Sequence, residues 1–210
     1  PILNRLIYTP VMITKTDITG AKKLPGALIE VYDADGNTIY REYTNENGEI
    51  PNIPVAPGTY TFKETYAPSG YALNAAIKTF TVTADGKVTG DTVIRDELNK
   101  IMLKKTKQNG EVLAGAVFGL FDSEGNKVQE ATSAADGSVL FQQIAYGEYT
   151  IREISAPYGY HPSAEEWKVT IDGTYLNPTT LLATVINEDA PGRIRITKQD
   201  ALDQHTIAGV

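Results

Sequence analysis

Three lysines close three similar apolar segments: Lys15 follows Val11 and Ile13, Lys105 follows Ile101 and Leu103, and Lys198 follows Ile194 and Ile196. In a strand alternate residues share a face, so each lysine would lie on the apolar one. Two glutamates follow the same rule. Tyr60, Phe62 and Glu64 alternate in "TYTFKETY", and Tyr149, Ile151 and Glu153 alternate in "EYTIREIS". Unpaired charge in a core is heavily penalised, so an inward lysine and an inward glutamate in one fold each imply a partner. A third polar group comes from "ATVINED", which places Val185 and Asn187 on one face. In the corresponding "DTVIRDE", Ile94 and Asp96 share one face, and Val93 and Arg95 the other. Direct alignment sets Arg95 against Asn187, but a guanidinium cannot do amide chemistry. A shift of one residue gives Asp96, the preferred position.

Lysine, glutamate and an Asn or Asp gathered in an apolar interior make a candidate reaction centre. Burial lowers a lysine pKa and frees a nucleophilic amine, while burial raises a glutamate pKa and lets it carry a proton to a carbonyl. Contact distance replaces a second-order encounter by a pre-oriented step. The product would be an intramolecular isopeptide bond, with ammonia lost from Asn or water from Asp. Such a reaction runs once, on the chain itself, and is not enzyme turnover. A buried Lys–Glu ion pair beside a hydrogen-bonded Asn would need no chemistry at all, and the residues alone leave both options open.

These groups must be held by a repeated β unit. "VMITKTDITGAKKLPGALIEVYDADGNTIY" (11–40) aligns with "IMLKKTKQNGEVLAGAVFGLFDSEGNKVQ" (101–129), and "NGEIPNIPVAPGTYTFKETYAPSGY" (47–71) with "DGSVLFQQIAYGEYTIREISAPYGY" (136–160). A third copy begins as "RIRITKQDALDQHTIAGV" (193–210). Short segments rich in Val, Ile, Thr, Tyr and Phe alternate with Asp-Gly and Asn-Gly turns, and no long apolar period of 3.6 appears. About seven strands per unit of roughly 90 residues predicts an antiparallel sandwich. The expected division is 1–10, the end of a preceding repeat or linker; 11–97, a first domain; 98–190, a second; and 191–210, the start of a third. The short joints "RDELNK" and "NEDAPGR" favour a rod over freely jointed beads.

Composition narrows the function classes. The net charge of −7 argues against nucleic acid or anionic membranes as partners, and no apolar run approaches a membrane span. The opening "PILNRLIYTP" lacks a signal-peptide pattern, and the 210 residues are expected to be a window in a longer array. Cysteine is absent, which removes disulfides and thiolate chemistry. "DADGN" (33–37) reads as a hairpin turn rather than a calcium loop, and His161 and His205 as surface loop residues; no metal or cofactor is expected. Trp167 aligns with Phe80 and is expected in the core.

The stretches "ITKTDITGAKKLPGA", "KETYAPSGY", "REISAPYGY", "VINED" and "VIRDE" together resemble the Cna B-type (SpaA-type, prealbumin-like) domains of Gram-positive surface adhesins and pilins. The resemblance covers essentially the whole chain and implies an all-β fold of tandem antiparallel Ig-like or prealbumin-like sandwiches. It implies a Lys15–Asp96 bond catalysed by Glu64 and a Lys105–Asn187 bond catalysed by Glu153. Asn4 lies 11 residues before Lys15, as Asn187 lies 11 before Lys198, so Asn4 and Lys198 are expected to serve the neighbouring repeats. The implied role is a structural stalk at the Gram-positive cell wall, with neighbouring repeats of the same chain as partners. Sortase, cell wall, and a host matrix protein or glycan would be met by other regions. The rivals are domains that themselves bind such a host ligand, and a spacer for an enzyme elsewhere in the chain. Neither a "YPK" segment nor "LPxTG" occurs in these residues, which favours a stalk over a pilus shaft.

Overall fold

The computed structural model describes residues 8–190 and 192, so Asn4, Ile194, Ile196, Lys198 and His205 lie outside the described residues. The described residues form two β-sandwiches and contain no helix. Unit 1 has eight strands: β1 (Thr9–Asp17), β2 (Leu28–Tyr32), β3 (Thr38–Tyr43), β4 (Glu49–Val55), β5 (Gly58–Tyr66), β6 (Lys78–Val82), β7 (Val88–Gly90) and β8 (Val93–Asp96). Unit 2 has seven: β9 (Lys100–Lys107), β10 (Val117–Phe121), β11 (Lys127–Thr132), β12 (Ser138–Gln142), β13 (Gly147–Ser155), β14 (Glu166–Ile171) and β15 (Ala183–Asn187).

In unit 1 a sheet ordered β4-β1-β8 faces one ordered β3-β2-β5-β6-β7; in unit 2, β12-β9-β15 faces β11-β10-β13-β14. The expected all-β sandwiches are therefore present. Most ladders are antiparallel, but the first and last strands of each unit pair in parallel, because both cross the sandwich in the same direction. Alternation seals the core between the sheets. Val11, Ile13, Ile29, Val31, Phe62, Phe80 and Ile94 fill unit 1, and Ile101, Leu103, Phe118, Leu120, Phe141, Ile151 and Val185 fill unit 2. "DADGN" is the β2–β3 turn: Asp33 Oδ1 accepts from the Asp35 and Asn37 amides at 3.0 and 2.8 Å.

Trp167 requires a correction. The ladder sets it opposite Ile151, the place that Lys78 takes opposite Phe62, whereas Val169 faces Tyr149 as Phe80 faces Tyr60. Val169 lies as far from Glu153 as Phe80 does from Glu64, so Val169, two residues beyond Trp167, is the counterpart of Phe80. Trp167 remains packed on the edge of the core, half-buried.

The units also diverge after β6 and β14. Unit 1 adds β7, which pairs with β6. In unit 2 the equivalent segment leaves the sheet: the Tyr175 hydroxyl donates to Lys100 O at 2.9 Å, and Asn177 binds Leu98 O and the Lys100 amide. Only Glu97, Leu98 and Asn99 separate β8 from β9. Asn99 is fully buried, giving its Nδ2 to Ile144 O at 2.8 Å and accepting from Ile144 N at 2.7 Å.

Candidate functional site

Each sandwich holds one cluster of ionisable groups between its sheets. The parallel ladder builds it. In unit 1 it sets Lys15 opposite Ile94, and in unit 2 Lys105 opposite Val185. Asp96 and Asn187 each lie two residues further along the last strand, on the same inward face. A lysine side chain spans that diagonal, so Lys15 Nζ contacts Asp96 Oδ1 and Lys105 Nζ contacts Asn187 Oδ1. The facing sheet contributes the glutamate from β5 or β13. Glu64 Oε1 is 3.0 Å from Lys15 Nζ, and Glu153 Oε2 is 3.3 Å from Lys105 Nζ. Arg95 points the other way and stands exposed beside Asp91, 3.6 Å from it.

Both lysines have no solvent exposure, and Glu64, Asp96, Glu153 and Asn187 are buried with them. The backbone clamps each lysine as well. Lys15 N donates to Gly48 O and Lys105 N to Gly137 O, both at 2.7 Å. A Cβ on Gly48 would stand 2.7 Å from Lys15 O, and one on Gly137 2.5 Å from Lys105 O. Both glycines also have positive φ, so the "NENGE" and "AADGS" turns admit little else.

Electrostatically the clusters differ by one carboxyl. Lys105 and Glu153 balance in unit 2, and burial depresses the Lys105 pKa, with Glu153 opposing it. Asn187 Nδ2 donates to Glu153 Oε1 at 2.7 Å, so one carboxylate touches both the amine and the amide nitrogen. Unit 1 has two carboxyls against one lysine. Burial raises the Glu64 pKa to about 8 against the pull of Lys15, with Asp96 adding to the rise. Burial raises that of Asp96 too, again against Lys15. Asp96 Oδ2 is buried without a hydrogen-bond donor and Glu64 Oε1 has only the Lys15 ammonium near it, an arrangement that one proton held on the pair would relieve.

Sequence reasoning missed the groups that aim the glutamates. Asn74 N donates to Glu64 Oε2 and Ser163 N to Glu153 Oε2, both at 2.9 Å. Both donors lie ten residues after their glutamate, a recurrence visible in the repeat alignment but carried by backbone N–H groups that any residue but proline supplies. Asn74 Nδ2 also donates to Arg95 O at 2.7 Å, tying the same loop to the strand that bears Asp96. His161 is exposed, and its amide donates to Glu188 O.

The family model "SpaA: Prealbumin-like fold domain" matches twice, over residues 9–97 and 99–181. The trypsin-resistant surface T6 protein of Streptococcus pyogenes is 33% identical over 58 residues, covering 28% of this chain and 11% of that protein. Serine-aspartate repeat-containing protein F of Staphylococcus epidermidis is 26% identical over 187 residues, covering 77% of this chain and 11% of that one. Among solved structures, the Bacillus anthracis TIE protein is similar with a TM-score of 0.51 and 28% identity, covering 87% of this chain and 35% of that one. The chain thus spans about a tenth of the length of these curated relatives, and about a third of that solved chain.

Proposed function

This chain belongs to the SpaA prealbumin-like family, and from that premise we propose that it is a load-bearing stalk segment of a Gram-positive cell-surface adhesin or pilin-like protein. Each of its sandwiches is closed by an autocatalytic isopeptide bond, Lys15–Asp96 in unit 1 and Lys105–Asn187 in unit 2. The observation that carries the proposal is the pair of sealed clusters, in which amine, carboxyl and acyl acceptor are buried in mutual contact.

In unit 2, burial lowers the Lys105 pKa and so favours the neutral, nucleophilic amine. Lys105 Nζ attacks Asn187 Cγ and the C–N bond forms. Glu153, which touches both nitrogens, carries a proton from Nζ to Nδ2; the C–Nδ2 bond breaks and ammonia leaves. In unit 1, Lys15 Nζ attacks Asp96 Cγ and the C–N bond forms; protonated Glu64 gives its proton to the departing hydroxyl and takes one from Nζ, the Cγ–O bond breaks and water leaves. The buried, pre-oriented geometry replaces an activating cofactor.

The mechanical role follows from where the bonds lie. Tension on a unit enters at the first strand and leaves at the last, which run parallel side by side, so the ladder between them would be loaded in shear. A bond from Lys15 to Asp96 takes the load from one strand to the other and spares the 80 residues between them. Pulling the chain by its ends tests this. Without the bond, unfolding would release roughly 250–290 Å per unit at full extension. The expected result is no such release from either unit, whereas release of that length from the parent chain would overturn the stalk proposal.

A further inference from the structure

The loop after β5 does two jobs at once. Its end, Asn74, donates to Glu64 Oε2 and holds Arg95 O, so it sets the position of the glutamate against the Asp96 strand. Its middle is bound to unit 2. Ala67 N donates to Gly173 O at 2.7 Å, the Tyr146 hydroxyl donates to Ala67 O, and Tyr146 N donates to Ser69 Oγ at 3.3 Å. Leu73 N donates to Tyr175 O at 2.8 Å, which makes the amide next to the one on Glu64 a contact with the other unit. The Tyr66 and Tyr146 rings meet edge to face at 5.6 Å. A Cβ on Gly173 would collide with the body of the Tyr66 ring.

Unit 2 differs here in sequence. Pro162 stands at the position of Leu73, so there is no N–H to give, and the ring fixes φ by itself. Ser163 N still reaches Glu153 at 2.9 Å. As the unit 1 loop does through Ala72 N to Glu97 O, the unit 2 loop also bonds its own linker, His161 N to Glu188 O and Ala190 N to Gly159 O. Among the described residues, unit 1 thus holds its glutamate loop with a neighbour, while unit 2 carries a proline at the same place.

We propose that unit 2 positions the cross-linking centre of unit 1: Tyr146, Gly173 and Tyr175 brace residues 67–73 so that Asn74 N–H stays on Glu64. They are positioning residues and touch no reacting atom. The inference rests on the cross-link proposal above, and the two can be told apart because unit 1 would lose water and unit 2 ammonia. Burial and the nearby Glu64 charge both raise the Tyr146 pKa, which fits a phenol kept as a donor beside that centre.

The test refolds the full chain from denaturant, after recovery in unfolded, unreacted form, and follows intact mass over time. Two variants are compared with the parent: Gly173→Val, which wedges the joint against Tyr66, and the milder Tyr146→Phe, which removes one hydroxyl. The expected result is water loss slowed about tenfold or more in Gly173→Val, and slowed less in Tyr146→Phe, with ammonia loss at the parent rate in both. Unchanged water loss in both variants would overturn the inference. Equal slowing of both losses in both variants would overturn it too, because the effect would then be general folding. A parent chain that loses neither molecule would remove the cross-link proposal and this inference with it.

Discussion

Replacing Glu64 by glutamine separates chemistry from packing in unit 1. The amide matches the carboxyl in shape and can still accept from Asn74 N, while Lys15 and Asp96 remain a charge-balanced buried pair. On the proposed mechanism the group that moves the proton is lost, so Glu64→Gln is expected to fold and to retain the water that the parent is expected to lose. The stability change can be estimated from the loop that the bond closes. Lys15 and Asp96 are 81 residues apart, and chain entropy gives about 4–5 kcal/mol for a cross-link of that span. For a domain of this size that corresponds to a melting shift on the order of 20–35 °C. Intact mass and calorimetry on one sample check both halves, and the unit 2 transition should stay in place as an internal reference. Loss of both water and ammonia by Glu64→Gln would refute the role given to Glu64. Retained water with an unshifted transition would refute the chain-entropy estimate and leave the chemistry standing.

The surplus carboxyl gives unit 1 its own pH response. Its reactive form needs one proton on the Glu64–Asp96 pair, and with the Glu64 pKa raised to about 8 that proton is present below pH 8 and lost above it. Water loss during refolding should therefore fall about tenfold per pH unit above that point, with ammonia loss not following it. Before reaction, folded unit 1 holds more protons than the unfolded chain between the ordinary glutamate pKa and about 8. Its stability is thus full at the acid end of that window and falls as pH rises, by at most about 1.4 kcal/mol per unit. Asp96→Asn removes the surplus carboxyl and makes unit 1 resemble unit 2; intact mass should show two ammonia losses, and the alkaline slowing should disappear. Phe118→Ala, beneath Lys105 with Nζ 5.9 Å from the ring centroid, should cost about 3–5 kcal/mol by denaturant titration, and should slow ammonia loss by hydrating the amine.

Much of this was legible because the repeat and the strand period reinforce each other. Alternation alone places Lys15, Glu64, Lys105 and Glu153 inward, and all four are buried. The closing strand was harder to read, since β8 has four residues and either parity is plausible in so short a segment. Only the parallel register sets Asp96 and Asn187 in the same relation to their lysines. Trp167 misled because an aromatic residue was matched to Phe80, whereas ladder pairing follows distance along the strand. The brace between the units left no mark in hydrophobic pattern at all. It is made largely of backbone amides and carbonyls, Ala67 N on Gly173 O and Leu73 N on Tyr175 O, with the Tyr146 hydroxyl on Ala67 O. The one visible trace was Leu73 against Pro162, a difference between otherwise parallel repeats.

The intact mass of the denatured parent chain tests the central claim most directly. Two cross-linked sandwiches are expected to weigh less than the sequence by one water and one ammonia. Proteolysis should then yield one branched peptide joining Lys15 to Asp96 and another joining Lys105 to Asn187. A mass equal to that of the sequence would contradict the account, leaving two buried ion-paired clusters and no covalent path for force.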